Sequence, residues 1–135
     1  MNVASRIVSQ PCNASADAVY AFAHRVENLP RWAAGLTTKL VRDGDHWFTE
    51  TPDGRMRIDM TPPNAFRVMD HDVTMPDGVT VHNALRVTPT GDGSLLAFVV
   101  LRLPGTSDAA FDGDCAHVAA DLKTLAALVE SEAGR

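Results

Sequence analysis

From Asp108 to about Glu132, apolar residues recur every three or four positions (Phe111, Cys115, Val118, Leu122, Leu125, Val129), the spacing of a long helix with one apolar stripe. Asp108, Asp112 and Asp114 crowd its first turns, where negative charge meets the positive end of the helix dipole. A helix of this length can cross a whole sheet. The stripe therefore demands a broad apolar partner.

That partner is spelled out between Thr37 and Leu103. Asp43-Gly44, Asp53-Gly54, Asp77-Gly78 and Gly91-Asp92-Gly93 mark four hairpins, because these residues supply the positive φ that tight turns need. Pro62-Pro63-Asn64 breaks the chain between two of them. Roughly six consecutively paired, hence antiparallel, strands result. Ahead of them, Val3 to Gln10 alternates apolar and polar residues up to Pro11 and reads as a strand. Asn13 and Ser15 are candidate N-caps for a helix from about Ala16 to Arg25, with Val19, Phe22, Ala23 and Val26 on one face. Asn28 is expected to cap a short second helix, with Pro30 in its first turn and Trp32 as its large apolar residue.

Composition narrows the function classes. At 135 residues, 45% hydrophobic and 21% charged, the chain reads as one soluble globular domain over residues 1–135. The net charge is -5 and there is no basic run, which argues against nucleic acid as a partner. The longest apolar run, Leu95 to Leu101, is too short to span a bilayer, and Met1 to Pro11 does not read as a secretory signal. A cytoplasmic location is expected, with Cys12 and Cys115 as reduced, small hydrophobes.

Dedicated catalytic motifs are missing. The chain has no Gly-x-Ser-x-Gly, His-Glu-x-x-His or Cys-x-x-Cys, and its glycines mark hairpins rather than a phosphate loop, so neither metal nor cofactor is expected. His24, His46, His71, His82 and His117 are scattered and read as surface residues. Registers about Asp77-Gly78 that differ by two place Val68, Asp70, Asp72, Val81, Asn83, Leu85 and Val87 on one face, and His71 and His82 on the other. The first face is the more apolar and should look inward. Leu96, Phe98, Val100 and Arg102 can join it, so Asp70, Asp72, Asn83 and Arg102 are expected to form a polar anchor, since buried carboxylates demand partners. Asp70 and Asp72 are the candidate catalytic groups: a desolvated carboxyl with a raised pKa can serve as general acid or base. The plainer reading is a structural ion pair at the strand ends. A two-residue Asp53-Gly54 turn is expected to pair Glu50 with Arg57 and to align Trp47 with the Met56, Ile58 and Met60 side.

The order strand, two helices, run of antiparallel strands, long C-terminal helix resembles the START-like (SRPBCC) superfamily with its helix-grip fold, and within it the polyketide cyclase/dehydrase-type branch. The residues that carry this are Ala18-Val19-Tyr20-Ala21-Phe22, Glu27-Asn28-Leu29-Pro30-Arg31-Trp32, Trp47, Arg86 to Ser94 and Asp121-Leu122-Lys123-Thr124-Leu125. The resemblance spans about Val3 to Glu132. It implies an α+β fold, a curved sheet of about seven strands wrapped around the last helix in the order β-α-α-β6-α. It also implies a cavity for a lipid-, aromatic- or polyketide-like ligand in a monomer or homodimer. Trp47, Met56 and Ile58 would form one wall, Leu85 and Phe98 another, and Phe111, Cys115, Val118 and Leu122 the helix side; Trp32 would guard the mouth or plug the core under the second helix. Three functions remain open: cyclase- or dehydratase-type acid/base chemistry without a metal, a non-catalytic carrier or sensor, and a co-chaperone-like interaction module.

Overall fold

Hairpin follows hairpin along most of the chain, and only the first strand pairs at a distance. The computed structural model describes residues 4–34, 36–37 and 39–133, so the strand start expected at Val3 lies outside the described residues. The strands are β1 (Ser5–Cys12), β2 (Leu40–Asp43), β3 (His46–Thr51), β4 (Gly54–Met60), β5 (His71–Thr74), β6 (Thr80–Thr90) and β7 (Gly93–Leu101). They form one antiparallel sheet in the order β1-β7-β6-β5-β4-β3-β2. Helices α1 (Ala16–Ala23) and α2 (Leu29–Trp32) precede β2, and α3 (Asp108–Ala133) closes the chain.

Local chemistry accounts for the helix starts. Ser15 caps α1 by accepting the Ala18 N–H at 3.1 Å. Asn28 does not cap α2. Its side chain donates to the Phe22 carbonyl at 3.0 Å and ties the two helices together. In α3 the stripe is buried as its spacing requires, with Leu122 and Leu125 fully enclosed and Val118 half-buried. At roughly 1.5 Å per residue the helix is about 39 Å long, and it lies along β1: Arg6 near one strand end reaches Asp112 (3.0 Å), and Asn13 just past the other reaches Glu130 (3.5 Å).

Pro11 sits inside β1, which is possible because β1 is an edge strand and needs no donor on its free side. Beside it, a Cβ at Gly93 would meet the Cys12 carbonyl oxygen at 2.5 Å, so only glycine lets β7 begin this close to the end of β1.

Turn lengths set which side chains face the helices. The β3–β4 turn is Pro52-Asp53, with Thr51 opposite Gly54. Glu50 therefore meets Arg55, at 2.9 Å, instead of the expected Arg57; Trp47 still aligns with Ile58 because the shift is by two. The β5–β6 loop has three residues, Pro76-Asp77-Gly78. Met75 N–H bonds the Val79 carbonyl (2.8 Å), and Gly78 takes the left-handed φ of 91° that such a loop needs. His71 is thus opposite Asn83, and Asp72 opposite His82. This corrects the expected faces of β5 by one residue: His71 and Val73 point inward, Asp72 outward.

Candidate functional site

A cavity of about 210 Å³ lies between the helices and strands β5–β7. Leu29, Trp32, Ala33 and Leu36 close it from α2 and the residues after it. Phe98 and Val100 of β7 and Val81 and Asn83 of β6 line the sheet side, with His71 of β5 among them. From α3 come Asp114, His117, Val118, Asp121 and Leu122. Leu101 (39% exposed), Leu103 (41%), Asp114 and His117 are solvent-facing, so they mark the mouth; Leu29, Leu122 and Trp32 form the floor.

Polar groups inside are few. His71 is only 4% exposed, and its ring meets Phe98 edge-on with centroids 6.1 Å apart. His71 Nδ1 lies 3.0 Å from the Met69 carbonyl, which can only accept, so Nδ1 carries the proton. Nε2 then holds a lone pair and has no protein partner among the described residues. Burial pushes the imidazole below its ordinary pKa, against the bond to Met69 and the nearby Asp70 and Asp72 carboxylates, and so favours the neutral ring. Asn83, directly across from His71, has a side-chain amide without a protein partner among the described residues. The Trp32 indole N–H is buried and likewise unpaired.

The expected anchor does not assemble in this cavity. Asp70 is buried at the entry to β5, where Oδ1 accepts the Leu85 N–H (2.9 Å) and Oδ2 accepts from Arg86 (3.1 Å). Burial alone would raise the Asp70 carboxyl; the bonds to Arg86 and Leu85 outweigh it and hold the group below its usual range, the opposite of the shift expected for a catalytic acid. Asp72 lies on the outer face with Oδ1 2.6 Å from His82 Nδ1, a bond that raises the His82 pKa. Arg102 pairs with Asp108 and donates to the Thr106 carbonyl (3.0 Å), fastening the entry to α3.

Of the residues singled out from the sequence, Trp32, Asn83, Phe98, Val118 and Leu122 line the cavity. Trp47, Met56 and Ile58 belong to the other half of the sheet, where Ile58 is 2% exposed opposite Trp47. Leu85 is wholly enclosed core, and Phe111 lies beneath the Arg6 and Arg102 guanidiniums (5.1 and 6.0 Å from the ring centre). Cys115 is a buried free thiol, as is Cys12. The register expected from the sequence puts His71 on the outer face; the three-residue loop turns it inward. Asp114, His117 and Asp121 carried a signal of their own, a spacing of three and four residues beside the apolar stripe.

Among the described residues no group of three His, Cys, Asp or Glu is arranged to hold a metal ion, and no helix is long and apolar enough to cross a membrane. No protein-family model and no curated protein matches the sequence. Solved structures do match in shape. An uncharacterized protein from Bacillus thuringiensis superposes with a TM-score of 0.71 at 16% identity, covering 93% of this chain and 98% of its own. The Aha1 dimer from Colwellia psychrerythraea gives 0.71 at 14% identity, with 94% and 96% covered. DynU16, a protein of the dynemicin biosynthetic locus, gives 0.68 at 13% identity over 95% of this chain and 48% of its own. At these identities the likeness concerns the fold, and the chain has the helix-grip fold: a seven-stranded antiparallel sheet with a long C-terminal helix.

Proposed function

We propose that this helix-grip chain binds one compact, mostly apolar small molecule in the cavity between α2, α3 and β5–β7. The observation that carries the reading is the cavity itself: about 210 Å³, walled by leucine, valine, phenylalanine and tryptophan side chains around one buried imidazole. Ligand sites for drug-sized molecules usually measure about 300–1,000 Å³. The volume therefore favours a one- or two-ring aromatic over a long-chain lipid. An interaction module of the co-chaperone kind would be expected to fill this space with side chains, and the cavity favours a ligand instead.

Acid/base chemistry of the cyclase or dehydratase type, if the chain performs it, would run through His71. A neutral imidazole with a free Nε2 can take a proton from a bound molecule; Asp70 and Asp72 are engaged on the other side of the strand.

Val118 offers the test, because it is half-buried on the cavity wall and its enlargement adds volume there. With 2-methylnaphthalene as probe, titration calorimetry should show binding to the native protein and at least a tenfold loss in Val118→Phe, with little change in the urea midpoint. Equal affinity in the two proteins would place the ligand elsewhere.

A further inference from the structure

We infer that the polar end of the cavity recognises a hydroxyl group, so that the ligand class is phenols and other compact, uncharged, hydroxyl-bearing apolar molecules; this rests on the ligand-binding reading above. Two unpaired groups define that end. The Met69 carbonyl takes the proton on His71 Nδ1 and leaves Nε2 as an acceptor. Directly opposite on β6, in register with His71, stands Asn83, which can donate through its amide nitrogen. Cross-strand partners of this kind sit about 4.5–5.5 Å apart at Cβ, close enough for one ligand atom to bridge both side chains.

A hydroxyl satisfies both at once: its O–H donates to Nε2, and its oxygen accepts from the Asn83 amide. The alternatives fit less well. An ether or ketone oxygen can accept from Asn83 but leaves Nε2 unmet. A carboxylate adds charge to a cavity with no lysine or arginine among the described residues of its lining and with Asp114 and Asp121 on the α3 side. An ammonium could donate to Nε2 but has no lone pair to accept from the Asn83 amide, so one of the two groups stays unmet. Burial keeps the imidazole neutral and so keeps the acceptor available.

The experiment compares four probes of similar shape on the native protein: 2-naphthol, 2-methoxynaphthalene, 2-methylnaphthalene and 2-naphthoate. One net hydrogen bond corresponds to an advantage of about 3–10-fold. By titration calorimetry 2-naphthol should exceed the methoxy compound by that factor, and 2-naphthoate should bind weakest. In His71→Phe the naphthol advantage should shrink to about one while 2-methylnaphthalene still binds. Equal affinity for naphthol and its methyl ether in the native protein overturns the hydroxyl assignment and leaves the cavity reading standing. Absence of binding by all four overturns both. Should the variant not fold, the imidazole nitrogen resonances of native His71 decide: Nε2 must shift with naphthol and not with 2-methylnaphthalene.

Discussion

His71 and His82 sit on adjoining strands, yet protonation acts on them in opposite senses. Burial lowers the His71 pKa, so the unfolded chain binds the proton more readily than the folded one. The stability this contributes is present above the ordinary histidine value of about 6.5 and is lost as pH falls toward the folded value. The groups around the ring are Asp70 and Asp72 beside it, His82 on β6, and Asp114, His117 and Asp121 across the cavity. The bond to Asp72 raises His82, whose contribution is present below about 6.5 and fades as pH rises through its folded value. In the native protein the two act in opposite directions. His82→Ala should therefore lose stability more steeply than the native protein between pH 7 and pH 5 in urea unfolding, and adding His71→Phe should remove that slope. Asp70 has a different task. Asp70→Ala would strip the acceptor from the buried Leu85 N–H and cost about 1–3 kcal/mol. Ligand affinity should stay within about twofold, whereas an Asp70 inside the cavity would change both.

At the scale of elements, one residue in one loop decides the character of the cavity. The three-residue Pro76-Asp77-Gly78 loop turns His71 and Val73 inward; a two-residue turn would bring Asp72 and Thr74 to the core side. Replacing the loop by Asn-Gly should cost more than about 2 kcal/mol through buried, unpaired polar groups. It should also return the His71 pKa, followed by NMR, toward about 6.5. Unchanged stability and pKa would mean that the strands hold their faces without help from the loop. The same feature marks where the sequence stopped being legible. The helix stripe, the capping Ser15 and four turn signals gave the architecture, because period and turn chemistry are local. The register of β5 is not local. Asp77-Gly78 suits two- and three-residue loops alike, and each choice exposes a different set of side chains. Asn83, Phe98, Val118 and Leu122 are legible because β6, β7 and α3 keep their faces in either register, and Trp32 because it is the large apolar residue of α2; His71 is not.

Across the whole molecule, the sheet is completed only when its first and last strands in chain order meet. Every other neighbouring pair is a hairpin or a short connection, but β1 pairs with β7, Cys12 opposite Ser94. Its other support, α3, comes later still. On the ribosome β1 therefore waits while residues 13–93 are made, several seconds at about 5–20 residues per second. Throughout that interval its backbone donors and acceptors are without their β7 partners, the condition in which a strand invites pairing with another chain. Pro11, tolerated in the finished sheet because its side of the strand is free, withholds a backbone donor from such a stranger, and the charge of Arg6 discourages stacking at the other end. The edge proline is in this sense a chaperone written into the strand, useful before the cavity exists.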